Sequence, residues 1–126
     1  MASTPRHPCD LPSCSPSLAL GVTVLQADAP AKSVTELKAF YSANCVKCHG
    51  LDGAATADGK KLGGRDFTDA AKNAKQTDAE MAKTIRKGIF FGTVMPAFKD
   101  RLSEEDALLL VKDIVRKAEK GKVIAP

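Results

Sequence analysis

The stretch Cys45-Val46-Lys47-Cys48-His49 decides the reading of this chain. A C-x-x-C-H run is the attachment pattern of a c-type haem, in which two thiols bond the vinyl groups and the histidine binds the iron. Residues at i, i+3 and i+4 of a helical turn share one face, so Cys45, Cys48 and His49 point at one object. Zinc is the poorer reading, because after His49 the chain holds no further Cys or His and this half supplies three ligands at most. A dithiol redox motif expects strands alternating with helices, and no such pattern surrounds the run.

A second axial ligand must come from Met1, Met81, Met95 or His7. Met81 falls with Ile85 and Ile89 at helical spacing, which assigns it to core packing. Met1 and His7 lie in an N-terminal segment unlike the rest. Met95 follows the Gly88 helix stop, and Pro96 holds it in extended backbone, so a thioether on that loop can be aimed at an iron.

The order C-x-x-C-H, a Gly-rich middle, then Met95-Pro96-Ala97-Phe98 before a last helix resembles a small class I cytochrome c of the bacterial type, over roughly Ser33 to Ala118. The resemblance implies an all-α cytochrome c fold, three to four helices and long loops wrapped around one covalently attached haem c. It implies a soluble single-electron carrier rather than an enzyme, with His49 and Met95 as axial iron ligands, and a periplasmic ligation step after export. An imidazole and a thioether leave the iron saturated in both oxidation states and favour the ferrous form. Two alternatives are an electron-transfer subunit bound to a larger membrane redox complex, and a haem sensor or peroxidase-like protein in which Met95 is labile.

Composition is that of one soluble domain: 126 residues, 27% charged and 44% apolar. No apolar run approaches the ~20 residues of a membrane-spanning helix. Residues 1–29 read as a signal-like or extension segment outside the fold, with 30–126 as the cytochrome domain. Ser17 to Leu25 is a short apolar run, and Ala27-Asp28-Ala29 resembles a signal cleavage site, although the segment before the run has Arg6 as its one positive charge and carries Pro5, Pro8, Pro12 and Pro16. Cys9 and Cys14 fit a disulfide or two idle thiols better than a site.

Helical spacing with capping boxes places a helix from Ser33 into the haem motif and another from Thr77 and Glu80 to Gly88, and the acidic first turn of Glu104, Glu105 and Asp106 places a last one from Ser103 to about Lys120, stopped by Gly121. Asp66 is expected to cap a short piece over Thr68 to Lys75. The five glycines between Gly50 and Gly64 read as a loop. Relatives carry Gly-Pro-x-Leu where this chain has Gly59-Lys60-Lys61-Leu62, so the resemblance gives the Lys60 carbonyl as acceptor of the proximal imidazole proton. Relatives also carry an aromatic near Asp113, so the helix contact there should rest on Phe40 or Tyr41 against aliphatics. Arg65, or Tyr41, is a candidate for a haem propionate. Phe90, Phe91 and Phe98 are candidate walls of the porphyrin.

Without residues 1–29 the chain has 18 basic against 13 acidic residues. Lys60, Lys61, Arg65, Lys83, Arg86, Lys87 and Lys99 then form a basic rim suited to redox partners with acidic docking faces. Nucleic acid is excluded for want of interleaved aromatic and basic residues. A monomer is expected.

Overall fold

Three side-chain capping boxes start the long helices of the computed structural model, which describes residues 29–126. The signal-like segment, with Cys9 and Cys14, lies outside the described residues. In chain order the helices are α1 (Val34–Asn44), α2 (Val46–His49), α3 (Ala57–Lys61), α4 (Ala70–Asn73), α5 (Asp78–Lys87) and α6 (Glu104–Leu110), which continues as one π-helical turn over Val111–Val115. No strand occurs among the described residues, and the one sheet-like feature is a bridge between Ile89 and Met95.

Each box satisfies two backbone N–H groups that a helix start leaves without partners. Ser33 accepts from the Glu36 N–H and Glu36 accepts from Ser33; Thr77 and Glu80 repeat this, as do Ser103 and Asp106. Asp106 has a further task. Its carboxylate is almost wholly buried and accepts the Lys32 N–H at 2.7 Å, tying the segment before α1 to the start of α6.

Leu37, Phe40 and Tyr41 of α1 pack against Leu110 and Ile114, with Phe98 and Leu102 closing the cluster. The contact opposite Asp113 therefore rests on Phe40 and Tyr41 against aliphatics, as anticipated, while Asp113 itself pairs with Lys117 at the surface. A second cluster joins Met81 and Ala82 of α5 to Ala107, Val111 and Val115. Truncating one such side chain costs about 2–5 kcal/mol.

Three expectations are revised. The glycine-rich stretch is not all loop: Thr56 caps α3 within it, its hydroxyl accepting from Gly59 N–H at 3.0 Å. The last helix stops near Val115 rather than Lys120. There the π turn bonds Arg116 N–H to the Val111 carbonyl at 2.8 Å and brings Val111, Ile114 and Val115 all inward. Beyond it the Arg116 guanidinium is held by Asp78 and by the Asn73 and Gln76 carbonyls, which fixes the α4–α5 connection to the last helix. The short capped piece is also smaller than expected. It is α4, capped by Asp69, whereas Asp66 closes a turn onto Thr68.

Candidate haem site

Because α1 runs into α2 with only Cys45 between, the packing of Leu37, Phe40 and Tyr41 fixes where the C-x-x-C-H turn faces. Cys45, Cys48 and His49 all line one cavity of about 850 Å³. Its other walls come from Phe67, from Met81 and Ile85 of α5, and from the loop carrying Met95. Two thiols and an imidazole on a single turn beside a largely apolar chamber suit a porphyrin held by two thioethers and one axial nitrogen, and no group of three or more His, Cys, Asp or Glu among the described residues makes a separate metal centre.

His49 Nδ1 lies 3.2 Å from the Arg65 carbonyl oxygen. A carbonyl only accepts, so Nδ1 carries the proton and Nε2 keeps the lone pair that an iron requires. Burial pulls the His49 pKa below its ordinary value, with the Arg65 bond opposing. The ring stays neutral at physiological pH. Phe67 stacks on it at 4.4 Å between centroids and 17° between planes, so its rotation is blocked.

Here the expectation for Lys60 fails. Its carbonyl closes the end of α3, accepting from Gly63 N–H at 3.0 Å, and Arg65, further along the chain, supplies the acceptor for His49. Tyr41 is likewise spent: its buried hydroxyl donates to the Gly50 carbonyl at 2.8 Å, fixing the chain just after the histidine rather than a propionate. Burial pushes its pKa well above the phenol range. The Cys45 thiol is pushed up to about 12, again by burial.

The loop after α5 folds back through the Ile89–Met95 bridge, with Ile89 N–H donating to the Met95 carbonyl at 3.0 Å. Gly88, at φ +73°, is required at its base, since a β-carbon there would lie 2.6 Å from the Met95 oxygen. Met95 lines the cavity and packs on the core cluster around Phe40 and Phe98. Phe90, Phe91 and Phe98 all line the same cavity. Phe98 is buried, with its ring edge-on to Phe40 at 5.2 Å, while Phe90 and Phe91 stand at the mouth, 72% and 106% exposed. Arg65 lines the cavity too, its guanidinium making one long contact, 3.5 Å, with the Lys72 carbonyl. Met81, expected in the core, is buried against α6 and also borders the cavity.

Residues whose part in the site the sequence did not show complete it. Gly59 lets α3 lie directly on the haem-binding turn, for a β-carbon there would sit 1.9 Å from the Cys48 oxygen. Asn73 is buried and donates to the carbonyls of Asp66 and Phe67, holding the segment that presents the Arg65 acceptor and the Phe67 ring. Arg101 lies over the Phe40 ring at 4.9 Å and donates to Asn44 at 2.8 Å, covering the flank next to Cys45. The glycines were visible as a loop signal. The others depend on tertiary contacts that no local pattern announces.

Residues 32–112 match the family described as cytochrome C oxidase, cbb3-type, subunit III. The chain is 31% identical over 91 residues to cytochrome c6 of Microcystis aeruginosa, an alignment covering 65% of this chain and 94% of that protein. It is also 31% identical to cytochrome c6 of Synechocystis sp. (strain ATCC 27184 / PCC 6803 / Kazusa), over 81% of this chain and 76% of that one. Among solved structures, the KustC0563 c-type cytochrome superposes with a TM-score of 0.57 at 36% identity, over 66% of this chain and 96% of that one. With the helical fold and the C-x-x-C-H turn facing an apolar cavity, these similarities place the chain in the family of class I monohaem c-type cytochromes, electron-transfer proteins with a covalently bound haem c.

Proposed function

We propose that this protein is a single-electron carrier whose haem iron would be held by His49 and Met95, working between redox partners outside the cytoplasm. One observation carries the reading: a preset neutral imidazole and a thioether on a bridged loop border the same cavity as both attachment cysteines. The bound haem supplies a one-electron ferric/ferrous couple. The chain's own residues keep the coordination fixed while charge changes. Arg65 and Phe67 hold the imidazole in orientation and tautomer, and the Ile89 bridge with Gly88 holds the Met95 loop. With His49 and Met95 both held in place, little rearrangement would accompany the electron, and no position would be left for dioxygen or peroxide.

Arg65 is the candidate to hold a propionate, supported by its place on the cavity wall and its nearly unengaged guanidinium. Phe98 forms the inner wall. Phe90 and Phe91 form the outer one, and both sit at positive φ, +48° and +53°. Bulky residues avoid that region at a cost of about 1–2 kcal/mol each. A turn so unfavourable is consistent with rings needed at the cavity mouth. Export to the periplasm fits a motif whose ligation follows secretion, and no described helix is long and apolar enough to cross a membrane.

The test is replacement of Met95 by Ala and by His. Both variants should keep covalent haem on a denaturing gel, lose the near-infrared absorption of methionine-ligated ferric haem, and show a lower potential. Retention of the band in Met95→Ala would refute the assignment.

A further inference from the structure

A second depression, about 520 Å³ and open on one side, lies between α5 and α6. Its floor is apolar, made by Ala79, Ala82 and Leu108, and its rim is cationic, made by Lys83, Arg86, Lys87 and Lys99. Glu104 is the one acid there, and Arg86 already engages it at 2.9 Å. Lys83, Lys87 and Lys99 make no ion pair among the described residues. Lys83 and Lys87 also line the haem cavity, so α5 is a shared wall between groove and haem.

We propose that the α5–α6 groove is a docking site for an acidic segment with apolar side chains, presented by a redox partner protein. This rests on the electron-carrier reading above. An apolar floor inside a ring of unpaired ammonium groups matches leucine-like side chains flanked by carboxylates. A free inorganic anion would leave the floor uncovered. A partner seated there lies against α5, the helix that also lines the haem cavity. Attraction between such charges is screened by salt, so docking weakens as ionic strength rises.

The probe is an amphipathic peptide of about twelve residues, roughly three helical turns, with leucine on one face and glutamate on the other. It is titrated into nitrogen-15-labelled ferrous holoprotein. Amide shifts are expected along Ala79–Lys87, at Lys99 and at Leu108. Lys99→Glu, and Ala79→Trp, which fills the floor without changing charge, should each weaken binding by about five- to tenfold. Glu104→Gln should tighten it by about twofold, an effect that damage to folding would not produce. Reduction by ascorbate should be unchanged in Lys99→Glu and Ala79→Trp.

Shifts confined to Gly63, Phe90 and Phe91, or none, would overturn the proposal. So would groove shifts given by phosphatidylglycerol vesicles or inorganic phosphate but not by the peptide. If the wild type lacks the methionine band yet binds the peptide in the groove, the carrier reading fails and the groove stands. If the band is present and the peptide misses the groove, the groove alone fails.

Discussion

Gly59 and the Phe90–Phe91 pair show what one residue decides in this protein. A methyl group at 59 would meet the Cys48 carbonyl at 1.9 Å, and backbone cannot yield as a flexible side chain does. Gly59→Ala is therefore expected to lower stability by about 3 kcal/mol in denaturant titrations of the holoprotein, the upper range of overpacking. The Phe pair gives a test in the other direction. Gly92 N–H bonds the Ile89 carbonyl at 3.2 Å across two left-handed residues, a turn that prefers Asn-Gly. Phe90→Asn with Phe91→Gly relaxes the backbone but admits water to the Met95 side, so the midpoint potential should fall in a spectroelectrochemical titration. An unchanged potential would remove these rings from the haem wall. Neither feature was fully legible beforehand. The glycines announced a loop, yet which of them is pressed against Cys48 is a matter of distant packing, and nothing in Phe-Phe predicts positive φ.

At the scale of elements, helix starts were readable and helix ends were not. Ser33 with Glu36, Thr77 with Glu80 and the acidic run after Ser103 are local signals, and the helices begin where they say. The end near Val115 depends on a π turn and on the grip of the α4–α5 connection on Arg116, both set by tertiary contacts. The same limit explains Lys60: once Thr56 caps α3, that carbonyl is consumed, and the acceptor for His49 moves to Arg65. Asp106 joins two elements and gives a pH prediction. Burial pushes its carboxyl pKa up, but the N–H groups of Lys32 and Ser103 and the Ser103 hydroxyl outweigh this, leaving it below the usual value. A carboxylate depressed in the folded state contributes stability above its unfolded pKa, and that contribution is lost as pH falls through the folded value. Glu36, Asp52, Asp69 and Glu80 are shifted in the same direction. Stability should thus decline on acidification below the ordinary carboxylate range. Asp106→Asn should be less stable at neutral pH and show a shallower acid decline in urea titrations at several pH values.

For the whole molecule, the haem cavity of about 850 Å³ is bordered by α2, α5 and the Met95 loop, and the core around Tyr41 and Leu110 meets it at Phe98. With no Trp and one Tyr, the chain brings little aromatic bulk of its own to a core. The fold instead buries a substantial aliphatic set between α1, α5 and α6, so helices and haem share the work. Cys45→Ser with Cys48→Ser leaves haem held by non-covalent contacts alone. Thermal unfolding should then become dependent on added haem, following the mass-action term for a ligand that binds only the folded state. A transition indifferent to haem would mean that the aliphatic core suffices.

The central claim is that His49 and Met95 both hold the iron. It is tested most directly by recording the near-infrared spectrum of the ferric holoprotein at neutral pH and then adding carbon monoxide to the ferrous form. Ligation by both residues gives the methionine–iron band and no carbon monoxide adduct. Absence of the band together with ready carbon monoxide binding would contradict it.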